Sequence, residues 1–189
     1  MYDLNGNRII DEEFKLFFSN RGPTAITTSS NRIFVVDYLD LHVYVYIYNG
    51  IRVSDEEFDL NVNNRNPASI TTYNNLILIG DSVQDKVFAY RLDGSTVVDK
   101  QIDTSNESLN GLVSFEGKLY ILDNTNKYVY VHSLLDANYG ERITSLEFSV
   151  SSLTHLSGLA KIIICCYRCG ISIIHIKICL LYTSPSPRD

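Results

Sequence analysis

The stretch NGNRIIDEEFKL (5–16) returns as NGIRVSDEEFDL (49–60), an offset of 44 residues held without a gap. The match continues downstream: Arg21, Pro23 and the Ile26-Thr27-Thr28 triplet map to Arg65, Pro67 and Ile70-Thr71-Thr72, Asn31 to Asn75, Asp37 to Asp81 and Tyr46 to Tyr90. A third copy starts at Asp93-Gly94 and runs through GKLYILD (117–123) to YVYVHS (128–133), two residues shorter than the others. A fourth begins near Gly140 and stays recognisable through Phe148 to LSGLA (156–160), which echoes LNGLV (109–113). A chain made of near-copies must bury each copy against the next, because one unit cannot enclose a core by itself.

Within each copy the hydrophobic period is two, not 3.6, and no segment sustains a helical period across three turns. A short strand follows the proline, at 25–28 and again at 69–72. A nearly continuous apolar run comes next, RIFVVD (32–37) and LILIGD (76–81), as expected of a strand covered on both faces. The third strand alternates Val43, Val45 and Ile47 with Tyr44, Tyr46 and Tyr48, so both of its faces are apolar too. Asn-Gly pairs at 5–6 and 49–50, and Asp-Gly at 93–94, supply residues that tolerate positive φ for a hairpin into a fourth strand ending on Phe14 and Leu16 or Phe58 and Leu60. Four strands per unit with two apolar faces per sheet is the pattern of a β-propeller blade. The expected fold is all-β: a partial β-propeller of about four four-stranded antiparallel blades over residues 1–160.

These repeats, with their NG-x-R turns, Ile-Thr first strands and apolar-Asp second strands, resemble NHL and streptogramin-lyase-like propeller repeats over residues 2–160. The first strand of that family usually reads Gly-Ile-Thr. Here the glycine is replaced by Ala25 and Ser69 and is kept at Gly111 and Gly158. The resemblance implies a bacterial, extracellular or cell-surface setting, and permits a lyase- or lactonase-type activity. A propeller closes with about 4–8 blades. Tyr2 aligns with Tyr46 near the end of a third strand, so the natural protein is expected to continue in both directions, and its remaining blades are partners of this piece. A lone piece is expected to expose apolar end faces and to aggregate.

The repeat stops after Ala160. Residues 161–178 are out of pattern, as a frameshift would produce. Residues 179–189, CLLYTSPSPRD, reproduce one reading frame of the adapter used in transposase-based sequencing libraries and are expected to be adapter-derived. The apolar stretch 159–182 has about the length of a membrane span, but Lys161, Arg168, His175 and Lys177 interrupt it, so no span is expected. All four cysteines lie beyond residue 160; Cys166 and Cys169 lack a second ligand pair, and no metal or cofactor is expected.

A net charge of −6 with no basic run argues against nucleic-acid binding. The acidic triplets Asp11-Glu12-Glu13 and Asp55-Glu56-Glu57 read as a solvated outer edge rather than a calcium site. Asp37, Asp81 and Asp123 close each second strand, where the following loop faces the central top surface. There they either accept amide bonds from their own loop or contribute to a binding face. Arg21 and Arg65, expected on the same face, either pair with those aspartates or rim a pocket for an acidic ligand. His42, His132 and His155 share no repeat position, and no G-x-S-x-G motif or phosphate-cradling glycine loop occurs. The sequence therefore points to a non-catalytic binding or scaffold propeller for a protein or glycan partner. The alternative is a fragment of a lyase- or lactonase-type propeller enzyme whose site lies in other blades.

Overall fold

The computed structural model describes residues 13–151. The fourth copy beyond Ser151, the out-of-pattern segment and the adapter-like tail lie outside the described residues.

Each repeat unit among the described residues forms its own four-stranded antiparallel sheet, with strands in chain order. The first sheet is β1 (Pro23–Ser29), β2 (Arg32–Asp37), β3 (His42–Tyr46) and β4 (Phe58–Asp59). The second is β5 (Pro67–Tyr73), β6 (Leu76–Asp81), β7 (Lys86–Arg91) and β8 (Ile102–Asp103). The third is β9 (Leu109–Phe115), β10 (Lys118–Asp123), β11 (Tyr128–Ser133) and β12 (Phe148–Ser149). First strands of successive sheets lie side by side. The Thr24 hydroxyl donates to the Pro67 carbonyl at 2.9 Å, and the Ser114 hydroxyl to Thr72 O at 2.5 Å, so blades are stitched at their inner edge. The fold is that of a partial β-propeller, with three blades among the described residues.

Period-two alternation sorts the core. In the middle blade Ile77, Ile79, Phe88 and Tyr90 face the first blade and pack with Phe34, Val36, Val43, Val45 and Phe58. Leu78, Val87 and Ala89 face the third blade and meet Leu109, Leu119 and Ile121. Full burial of each such side chain contributes about 1.5–3 kcal/mol, so the sandwiching of both faces is what holds the stack. Gly80 marks the tightest approach: a Cβ there would lie 2.2 Å from Leu109 Cδ2 of the next blade.

The Asn-Gly pair at 49–50 and the Asp-Gly pair at 93–94 turn the chain back along the third strand as expected. Two-residue hairpin turns join the first and second strands. Ser30-Asn31 and Asn74-Asn75 both carry positive φ, as do Glu116-Gly117, which suits the twist of a two-residue hairpin. The Asn-Gly and Asp-Gly pairs instead close three-residue loops, with Gly50 at φ 84° and Gly94 at φ 81°. The Gly50 amide donates to Ile47 O at 2.9 Å.

The fourth strand is interrupted. Arg52 bridges Tyr46, the chain then loops out, and Phe58–Asp59 re-enters opposite His42 and Val43. The acidic triplet 55–57 occupies this excursion: Asp55 is exposed, as a solvated edge requires, but Glu57 is turned inward, and Asp11 and Glu12 of the other triplet lie outside the described residues. The Glu57 side chain is 4% exposed and grips Arg52 through two bonds of 2.6 and 2.7 Å, while Glu56 grips Arg32 in the same bidentate way. An excursion that turns a carboxylate inward needs a guanidinium waiting for it, and the repeat supplies one five residues earlier.

Candidate functional site: the loop face

The β2–β3 loops and the loops entering β1, β5 and β9 meet at one end of the blades, and the three repeated aspartates tie them together. Asp37 Oδ1 accepts the amides of Leu39 and Asp40 at 2.8 and 3.0 Å, and Oδ2 accepts the Gly22 amide at 2.8 Å. Asp81 takes Val83 and Gln84 on Oδ1, both at 2.9 Å, and Arg65 and Asn66 on Oδ2 at 2.8 and 2.9 Å. Asp123 takes Thr125 and Asn126 on Oδ1, both at 2.9 Å, and Glu107 on Oδ2 at 2.8 Å. All three carboxylates are fully buried. A buried carboxylate stays charged at low cost when backbone N–H donors surround it. Each one therefore fixes the loop leaving the second strand against the loop entering the first. A backbone bond reinforces the junction in every blade: Tyr38 N to Gly22 O, Ser82 N to Asn66 O, and Asn124 N to Ser108 O.

The two arginines do not meet these aspartates through their side chains. Arg21 is exposed and donates to Asp40 at 3.2 Å. Asp40 also accepts the Tyr44 hydroxyl at 2.8 Å, which together with Arg21 holds its carboxyl below the ordinary range. Arg65 sends Nε to the Val62 carbonyl at 2.9 Å, and no carboxylate among the described residues pairs with it. In the third blade the same position is Glu107. Asp85, from the neighbouring β6–β7 loop, has its carboxyl pushed up by burial and then by Asp123, Asp81 and Glu107. Charges of both signs therefore share the loop face: Arg21 with Asp40 on the first blade, Arg65 with Asp85 on the second, and Glu107 with Lys127 on the third.

Large apolar side chains also project here. Phe18 is 82% exposed and its repeat partner Val62 is 74% exposed; Leu39 is 58% exposed and its partner Val83 is 69% exposed. Phe17 and Tyr38 lie beside them, also exposed. The opposite end exposes Tyr48, Ile51 and Leu135, but none has an exposed apolar counterpart at its repeat position. Scattered exposed apolar residues are ordinary; recurrence at one loop position is not.

Sequence reading missed two structural devices. The first is the clip between Arg52 and Glu57, repeated by Arg142 and Glu147 with bonds of 2.6 and 2.9 Å. Burial is the strongest single influence on the Glu57 carboxyl and raises it, but the bonds and charge of Arg52, with the Val45 amide and His42, together leave it below the ordinary range. Arg52 also covers the Phe17 ring at 4.2 Å, as Arg142 covers Tyr130 at 4.4 Å. The middle blade has Thr96 and Gln101 instead, losing both partners together, and that paired loss was the available signal. The second is a buried asparagine before each first strand, Asn20, Asn64 and Asn106. Asn64 donates to the Tyr90 hydroxyl at 3.1 Å.

His42 contacts Asp59 at 2.7 Å, and His132 is buried with Nδ1 2.9 Å from Gly140 O. No cluster of three metal-ligating side chains occurs among the described residues, and no helix there is long and apolar enough to cross a membrane.

Comparison with known protein families and with curated proteins finds no match. Solved structures do match. Glutaminyl cyclase from Myxococcus xanthus aligns with a TM-score of 0.54 at 12% identity, over 69% of this chain and 53% of that one. Virginiamycin B lyase from Staphylococcus aureus aligns with a TM-score of 0.52 at 14% identity, over 75% of this chain and 45% of that one. The computationally designed Ika4 protein gives 0.51 at 14% identity, over 68% of this chain and 74% of that one. At these identities the likeness is one of fold. The chain spans about half the length of the two natural proteins.

Proposed function

We propose that the chain is part of a non-catalytic recognition propeller whose loop face over the first two blades binds a partner. The observation that carries this reading is the recurrence of Phe18 with Leu39 as Val62 with Val83, four exposed apolar side chains on one face. The polar groups of that face support it from the other side. Asp37, Asp81 and Asp123 spend their oxygens on backbone amides, so they hold the face in shape and are poorly placed to do proton transfer. A rigid loop platform with projecting apolar anchors is how binding faces are built on an invariant scaffold.

The test is to screen the full chain on peptide and glycan arrays, beside a variant with Phe18→Ser, Leu39→Ser, Val62→Ser and Val83→Ser. Array binding that the variant loses, with an unchanged thermal melt, supports the proposal. Binding that survives all four substitutions places the face elsewhere. No array binding, with ring opening of a lactone or cyclic ester probe by the chain, favours the lyase- or lactonase-type alternative.

A further inference from the structure

We infer that the partner is a peptide segment in which carboxylates alternate with apolar side chains, read by the first two blades and disfavoured at the Glu107 position of the third. This rests on the binding reading above.

Each of the first two blades builds the same three-residue knoll. In the second blade Asp81 gathers the amides of Arg65, Asn66 and Val83, which brings the two loops together. The Arg65 side chain is anchored at its base by the Nε bond to Val62 O. That bond ties it to the residue bearing one exposed aliphatic side chain, and the Asp81 amides bring the loop of the other, Val83, to the same junction; no carboxylate of the described residues pairs with its terminal nitrogens. In the first blade the Leu39 side chain lies across Gly22, where a Cβ would fall 2.7 Å from Leu39 Cγ, so Leu39 sits beside Arg21. Arg21 holds Asp40 by one exposed contact. Exposed pairs of this kind contribute little and exchange partners readily. Phe18 completes the knoll as Val62 does in the second blade.

The third blade lacks every part of this. Its entry loop is two residues shorter, which removes the counterpart of Phe18 and Val62; Glu107 stands in the arginine position and Thr125 in the position of Leu39 and Val83. Asp85, on the second blade's β6–β7 loop, faces this boundary, its carboxyl raised by burial and by the surrounding carboxylates. Lys127 leaves a cation on the third blade, so the selection lies at the arginine position alone: a ligand carboxylate meets a guanidinium there at Arg21 and Arg65 and another carboxylate at Glu107. A guanidinium flanked by aliphatic groups matches a carboxylate with an apolar neighbour better than it matches a neutral sugar ring.

The experiment uses the full chain and a fluorescein-labelled peptide, Asp-Leu-Glu-Phe repeated three times, with its Asn-Leu-Gln-Phe counterpart as the neutral probe. Anisotropy titrations at low and high salt are expected to show the acidic peptide binding at least about tenfold more tightly than the neutral one. Arg65→Ala should weaken the acidic peptide by a similar factor and leave the thermal melt in place. Glu107→Arg should strengthen binding. Equal binding of the two peptides, no binding of either, or indifference to Arg65→Ala in a folded protein overturns the inference. If neutral peptides or glycans from the arrays still bind and the four-serine variant loses them, the binding reading stands and only the partner class falls. If nothing binds, both fall.

Discussion

The joint between the first and second blades and the joint between the second and third are built at equivalent positions with different parts. In the first, Phe58 stacks on Tyr90 at 5.5 Å, and Gly94 lies directly under Phe58. The Tyr90 hydroxyl accepts the Asn61 amide and the Asn64 side chain, both at 3.1 Å, holding a long loop that carries Val62. In the second, Ile102, His132 and Gly140 take these places, and the loop is two residues shorter. His132 turns to Gly140 O, its Nε2 finds no protein partner, and neither does the side chain of Asn106. Phe14, Tyr46 and Gly50 repeat the first arrangement at the other end of the described chain, with the Phe17 amide on the Tyr46 hydroxyl at 3.1 Å. Aromatic ring, ring hydroxyl and loop length change as a set. The tyrosine is thus kept for the loop it holds as well as for its packing, and the loop is what displays the apolar anchors.

The largest expected difference between the joints comes from their glycines. Gly94 and Gly140 share φ 81°, a conformation that costs an L-residue about 1–2 kcal/mol. At Gly94 a Cβ would also sit 2.3 Å from Phe58 Cβ, whereas at Gly140 it would meet Ile102 Cγ1 at 3.7 Å, an ordinary contact. Gly94→Ala should therefore add an overpacking cost of about 1–3 kcal/mol that Gly140→Ala does not. Urea denaturation of the two variants measures the gap. Equal losses would mean that backbone conformation alone accounts for both.

Next comes the ring hydroxyl. Tyr90→Phe keeps the stack and deletes the acceptor for two donors, one of them on the fully buried Asn64. Leaving buried donors unmatched costs about 1–3 kcal/mol. Hydrogen exchange at the Asn61 amide should accelerate along with that loss. His132→Phe at the other joint removes a ring nitrogen that has no partner and one bond to Gly140 O, so it should cost less. If the two substitutions cost the same, the loop does not depend on its tyrosine.

How much of this was readable beforehand follows from which periods reach the sequence. The second strands fell where their apolar runs stand, Arg32–Asp37 and Leu76–Asp81, because strands sandwiched on both faces must be continuously apolar. The third strand's two apolar faces were legible for the same reason. The interrupted fourth strand was not, because Arg52 and Glu57 look like surface charges until the chain loops out between them. The aspartates stood at the right positions with two roles open, and only coordinates assign each oxygen its amide donors. Arg21 and Arg65 lie at the same end of the blades as the aspartates, but their side-chain partners could not be read, since a loop's side-chain direction has no period. Repetition could have exposed the apolar anchors, because Phe18 and Val62 lie one unit apart, as do Leu39 and Val83. What no pattern carries is that these positions point outward.

The smallest effect separates the joints by pH. Burial holds the His132 imidazole below its ordinary value of 6.5, outweighing the Gly140 bond that would raise it, and Tyr90 at the other joint is raised by burial and so stays protonated. Near and below pH 6.5 the unfolded chain binds a proton at this histidine that the folded chain does not, so stability there rises with pH. The contribution of His132 is fully present above that value and declines as pH falls through it towards the lower folded value. The slope cannot exceed that of one proton, about 1.4 kcal/mol per pH unit. Carboxylates titrate nearby, so the quantity to read is a difference: urea midpoints of the wild-type chain minus those of His132→Gln, taken between about pH 5 and 8. A difference that grows more negative on acidification, with exchange at the Gly140 and Ile143 amides speeding up in the wild type alone, assigns the pH sensitivity to the second joint. A flat difference would mean that the imidazole reaches solvent and that the joint closes without it.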